Sequence, residues 1–188
     1  MLNGGADSCG TTHKAQVDQI KDLVDPKSWN MVVITAGINS TNWTDVIVDL
    51  TKDTALSFSA GGDREACDLA LHQKWNIDDR SESITRQTRS TVDALTADTN
   101  ADIVWTGYHN ITGTELAHLW APIGSECASE MAEATDVLHS ALRAGLTSDV
   151  TWVAIDSDVA TQSWAGWPHP SAQGHTTIGR TIAEAVKG

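Results

Sequence analysis

Apolar positions along this chain fall into two kinds of run, short continuous ones and longer ones with helical spacing. Met31–Thr35, Asp102–Gly107 and Val150–Ile155 are short and rich in β-branched residues. Such runs read as strands buried on both faces, the habit of parallel sheets. Three helices are predicted between and after them. Ser83–Ala97 turns Ile84, Val92 and Leu95 inward. Cys127–Leu146 carries a stripe of Met131, Ala134, Val137, Leu138, Ala141 and Leu142, and Ser171–Val186 sets Ile178, Ile182 and Val186 on one side. Nearer the N-terminus, Ala15, Val17, Ile20 and Val24 predict a helix over Lys14–Val24, stopped by Asp25-Pro26 because proline cannot continue the ladder. Residues 1–12 read as a loop, 36–42 as a turn, 45–50 as a short helix and 59–63 as a loop. A tryptophan-rich loop is predicted over 157–170.

Alternating strands and helices imply an α/β sandwich with a parallel sheet. With 188 residues, 1–188 suits a single domain. In such sheets functional loops gather at the carboxyl ends of strands. Two qualify here, Gly37–Asn42 and Asp156–His169.

Charge narrows the partners. The formal net charge is −13, which speaks against nucleic acid, because phosphate binding needs a basic face. Anionic membrane surfaces are disfavoured for the same reason. No run approaches the roughly 18 apolar residues of a membrane span, and no basic, apolar leader stands at residue 1. Cys9, Cys67 and Cys127 make an odd set, so at least one thiol is unpaired within the chain. Asn39-Ser-Thr, Asn42-Trp-Thr and Asn110-Ile-Thr fit the N-glycosylation pattern. With few lysines they favour a secreted, extracellular protein.

Several residues could carry chemistry. His169 lies in Trp167-Pro-His-Pro-Ser-Ala-Gln-Gly-His175, with proline on both sides to restrict its backbone. It can act as a general base or simply cap and pack against the following helix. Asn39 follows the first strand, where an amide can donate to a developing oxyanion or just shape a turn. Gly10 lets a backbone N–H approach a ligand, although a plain loop glycine looks the same. Trp152, Trp164 and Trp167 can wall an acyl or sugar pocket or belong to the core. Other chemistries lack their spacing: His169 and His175 are not i, i+4, and no Cys-x-x-Cys, phosphate loop or Gly-x-Ser-x-Gly is present. No cofactor or metal is expected.

The order of these signals is informative. Ser8-Cys-Gly-Thr-Thr, then Val32-Val-Ile-Thr-Ala-Gly-Ile-Asn39, then His169-Pro-Ser-Ala-Gln-Gly-His175 resembles blocks II, III and V of the SGNH (GDSL) esterase–lipase superfamily. Asp102-Ile-Val-Trp-Thr-Gly-Tyr108 is similar to that family's fourth strand and its loop. The resemblance implies a flavodoxin-like three-layer α/β/α fold, its N-terminal strands missing or rearranged here, and ester hydrolysis. Gly10 and Asn39 would face the oxyanion, and His169 would be the base. The substrate would be a small ester, a lipid or an acylated carbohydrate.

The chain also departs from the family. Its first block, Gly-Asp-Ser after an opening strand, is not visible, and Asp7-Ser8 is only an echo, which leaves Ser8 as the candidate nucleophile in this chain. Gly166 stands where block V usually has aspartate, so its backbone carbonyl would orient His169, as in some relatives, unless Asp156 or Asp158 folds back. Ser40 replaces a frequent aspartate in block III. Loop disulfides in the family suggest a Cys67–Cys127 bridge. The two family strands beside Met31–Thr35 are missing, and an uncovered edge is a liability. The expectation is a fragment of a longer product, a second polypeptide or dimer partner supplying the strand and serine, or a rearranged N-terminus. The rival function is a catalytically inactive binding protein with this fold.

Overall fold

The computed structural model describes residues 5–6, 12–13, 19–20, 22, 25–38, 77–109, 124–155, 159 and 170–187, without the side chains of 5–6, 12–13, 78 and 124–131. In chain order the elements are β1 (Gly5–Ala6), β2 (Thr12–His13), β3 (Met31–Ile34), α1 (Ile77–Asp98), β4 (Asp102–Thr106), α2 (Gly124–Gly145), β5 (Thr151–Val153) and α3 (Ala172–Ala185). A 3-10 turn, Pro26–Ser28, precedes β3.

The described sheet is parallel, in the order β3-β4-β5. Val32 pairs with Ile103 and Ile34 with Trp105, while Trp105 pairs with Trp152. Because side chains alternate along a strand, this register stacks those residues on one face. There they join a core with Ile84, Val92 and Leu95 of α1 and Leu138, Ala141 and Leu142 of α2. On the other face Val104, Val153, Ile155 and Val159 pack against Ile178 and Ile182 of α3. Helices therefore pack on both faces of β4, and a parallel sheet with helices is a general α/β organisation, as predicted. Each fully buried Leu, Val or Ile contributes about 1.5–3 kcal/mol.

The α1–α2 contact is close because α2 ends on a small residue. A methyl group on Gly145 would lie 2.6 Å from the Thr85 carbonyl and 2.5 Å from Thr88 Cβ. That approach lets Thr85 Oγ1 donate to the Ala141 carbonyl at 2.9 Å and Arg89 donate to the Leu146 carbonyl at 2.9 Å. At the opposite end of α1, Lys27 Nζ donates to the carbonyls of Ala97 (2.8 Å) and Thr99 (3.4 Å). Its cation thus meets the negative end of the helix and anchors the segment entering β3.

Four expectations need correction. β3 is not buried on both faces: Val32 and Ile34 pack on the core, but Met31 and Val33 are 40% and 46% exposed. Among the described residues only β4 pairs with β3, and α3 covers β4 and β5, so one face of β3 lacks a packing layer. Residues 1–12 are not all loop, since Gly5–Ala6 pairs antiparallel with Thr12–His13; a two-residue ladder is too short to leave a period in sequence. Helix α1 begins at Ile77 rather than Ser83, because buried Ile77 adds a turn the apolar spacing did not register. Val186 caps α3 and is exposed instead of joining Ile178 and Ile182. Of the helix predicted over 14–24, Gln19 and Ile20 are helical and Ile20 packs on the core. Its other positions except Asp22 lie outside the described residues, as does the predicted helix over 45–50.

Candidate functional site at the carboxyl edge of the sheet

The strands β3, β4 and β5 run the same way, so the segments that follow them leave from one edge. Gly107 N–H donates to the Val153 carbonyl at 2.9 Å, extending the β4–β5 contact past the last ladder residue. Thr35 and Thr106 hydroxyls meet at 2.5 Å, and Thr106 Oγ1 lies 3.3 Å from the Ile34 carbonyl it can donate to. Thr106 is fully buried, and these partners satisfy a hydroxyl that would otherwise be costly to bury.

Beyond β3 the chain turns through Gly37, which has φ +119°. A left-handed φ suits glycine, and here space demands it too. A Cβ on Gly37 would lie 2.7 Å from Leu142 Cδ2. The next N–H, of Ile38, donates to the Tyr108 hydroxyl at 3.2 Å. The Tyr108 backbone N–H in turn donates to His139 Nε2 at 2.9 Å. One tyrosine therefore links the β3 loop, the β4 loop and α2.

That geometry sets the protonation of the cluster. A His139 Nε2 that accepts must carry its lone pair there, so the neutral ring holds its proton on Nδ1. Burial holds the His139 pKa below the ordinary histidine value; the Asp136 carboxylate opposes the drop, and Arg143 adds to it. The imidazole meets the Trp152 ring edge-to-face, with centroids 5.6 Å apart and planes at 69°. The Arg143 guanidinium lies 6.0 Å from the Trp152 centroid. Burial raises the Tyr108 pKa, against a lowering by its bond from Ile38, so the phenol stays neutral.

The connection leaving β5 leads into α3, whose N-cap is Ser171. Its hydroxyl accepts from Gly174 N–H at 3.1 Å, which satisfies one of the helix's unpaired donors. His175 lies on the exposed side of this first turn.

Ser8, Gly10, Asn39, Gly166 and His169 all lie outside the described residues. So do Asp156, Asp158, Ser40, Trp164 and Trp167, together with Cys9, Cys67 and the side chain of Cys127. What is placed is their immediate surroundings: Ile38, directly before Asn39, and Pro170, directly after His169. Trp152 belongs to the core face with α2. Tyr108 and His139 were not read as site residues from sequence. The available signal was a histidine beside the Leu138, Ala141, Leu142 stripe. Among the described residues no group of three or more His, Cys, Asp or Glu can hold a metal ion. No helix among them is long and apolar enough to cross a membrane. In comparisons with known proteins, no family model, curated protein or solved structure matches this chain.

Proposed function

We propose that this protein is a serine ester hydrolase of the SGNH type, acting on a small acyl or acetyl ester. The observation that carries the reading is the joining of the two key segments to one edge. β3, which leads to Asn39, and β5, whose connection contains His169, flank β4 on either side, are both parallel to it and so end at the same carboxyl edge of the sheet. The order of the Ser8–Thr12, Val32–Asn39 and His169–His175 motifs supports it. In this reading the fold is the three-layer α/β/α sandwich of that superfamily.

The chemistry divides among few groups. His169 takes the serine proton as the serine oxygen attacks the ester carbonyl. The Gly10 N–H and Asn39 amide bind the tetrahedral oxyanion, and the Gly166 carbonyl orients the imidazole. His169 then returns the proton to the departing alkoxide. Ser8 is the nucleophile candidate in this chain; otherwise a strand paired with β3 supplies it. Such a strand would pair with the Met31 and Val33 backbone groups on the side of β3 away from β4, and would come from a second polypeptide or a second copy. Mass measurement in solution tests the second copy, which a monomer excludes. The acidic surface and glycosylation triplets are consistent with an extracellular setting.

Asn39→Ala tests the assignment. Loss of one oxyanion donor lowers turnover by about 10²–10³, read on a nitrophenyl acetate ester. Undiminished turnover rejects the role. A fluorophosphonate label separates the alternatives: labelling at Ser8 supports the enzyme in this chain. Absence of labelling supports an inactive binding protein or a half-enzyme.

A further inference from the structure

We infer that Tyr108 is a positioning residue: its hydroxyl pins the β3 loop at Ile38, and His139 holds Tyr108 in place for that task. The inference rests on the ester-hydrolase reading only for what the pinned loop serves. The pin itself stands on three contacts among described residues.

The Tyr108 hydroxyl reaches across from the β4 loop to take the Ile38 N–H at 3.2 Å, a contact spanning 70 residues of chain. The Tyr108 backbone is fixed where its N–H meets His139 Nε2 at 2.9 Å. His139 is set by α2 and by its edge-to-face contact with Trp152. Rotation of the tyrosine backbone would break the His139 bond as it displaced the hydroxyl. On the β3 side Gly37 lets the chain pass close to Leu142 and present the Ile38 N–H. The β3 loop is thereby tied to the β4 loop, and the β4 loop in turn to α2.

A backbone N–H bound to a phenol differs from one bound in a ladder. The donor sits where a strand has ended, and among the described residues no strand pairs with it. A side chain from another loop does so instead. Asn39 follows Ile38 directly in the chain, so the pin fixes the point from which the proposed oxyanion donor departs. Catalytic donors lose effectiveness with displacements near 1 Å.

Tyr108→Phe removes the hydroxyl and keeps the ring. Amide hydrogen exchange at Ile38 is expected to rise about tenfold, with Val104 and Leu142 amides unchanged. On nitrophenyl acetate, kcat is expected to fall about three- to tenfold, the worth of one hydrogen bond, with KM retained. In an Asn39→Ala background the same change is expected to add nothing further. Unchanged exchange at Ile38 overturns the pin. Unchanged kcat, or an equal loss in the Asn39→Ala background, overturns its positioning role while leaving ester hydrolysis intact. If the wild-type protein turns over no ester, the hydrolase reading falls and the exchange result alone decides the pin. His139→Phe provides a second variant: faster exchange at Ile38 is expected there too, and none argues that His139 does not hold Tyr108.

Discussion

Replacing His139 by phenylalanine isolates one hydrogen bond of the site. The phenyl ring keeps the edge-to-face contact with Trp152 but withdraws the acceptor from the Tyr108 N–H, now 2.9 Å from Nε2. A partly buried N–H left without its acceptor costs about 1–3 kcal/mol. For a chain of this size each kcal/mol lowers Tm by about 2–4 °C, so a fall of roughly 2–12 °C is expected at neutral pH. The variant also removes a titration. The His139 pKa is depressed in the folded protein, chiefly by burial. The unfolded chain therefore binds a proton at this site more readily than the folded one. Its contribution to stability is intact above the unfolded value of about 6.5 and is lost as pH falls through the folded value. Urea unfolding followed by tryptophan fluorescence at pH 7.5 and pH 5 measures both effects. The wild-type advantage over His139→Phe is expected to shrink on acidification. An equal advantage at both pH values, or none at pH 7.5, refutes the assigned bond and its protonation state.

Two glycines give further tests. Gly145→Ala places a methyl group against the Thr85 carbonyl and Thr88 Cβ. It is expected to destabilise by about 1–2 kcal/mol, overpacking outweighing the helical gain of roughly 0.5–1 kcal/mol; a raised Tm in calorimetry contradicts this. Gly37→Ala combines a left-handed backbone with a 2.7 Å approach to Leu142, for an expected cost of about 1–3 kcal/mol. An unchanged urea midpoint would mean the β3 loop adopts another path.

The core of the fold was legible because burial is periodic. Ile84, Val92 and Leu95, spaced for one helical face, are all buried, as are Leu138, Ala141 and Leu142 of the α2 stripe. Thr88 and Thr91 are buried beside them, yet their hydroxyls hid them from a hydrophobic count. Thr91 satisfies its hydroxyl on the Gln87 carbonyl within the same helix, so burying it leaves no polar group unmatched. The pattern of β3 misled for a different reason. A continuous apolar run signals two apolar faces but does not say whether both are covered in one chain. The Tyr108–His139 link left no trace of either period. It joins positions 31 residues apart through a backbone N–H, and backbone donors carry no residue identity to read. The motif residues Ser8, Gly10, Asn39 and His169 were legible as an ordered set, and their arrangement in space remains an expectation.

Topology ties the uncovered strand to the proposed reaction. Crossovers between parallel neighbours are overwhelmingly right-handed. Two that step the same way across a sheet place their helices on one face, as α1 and α2 do, whereas α3 lies on the other. In a doubly wound sheet, ligands bind beside the strand where the stepping direction reverses. Among the described strands the steps from β3 to β4 to β5 contain no reversal; on the proposed fold a reversal falls beyond β3, at the edge that β4 does not pair. The parallel register points the Met31 and Val33 backbone groups the same way, since Asp102 N–H donates to Asn30 and the ladder continues through Val32 and Ile34. On the proposed fold, a strand pairing there would satisfy the Met31 and Val33 backbone groups and form the second wall of a crevice whose first wall is the loop pinned by Tyr108. On the proposed reading, covering the edge and supplying the nucleophile are then a single event. A Val33→Lys substitution, which opposes apolar covering, is accordingly expected to reduce ester turnover while leaving the α1–α2 core folded. Turnover untouched by that charge would separate the two and place the nucleophile elsewhere.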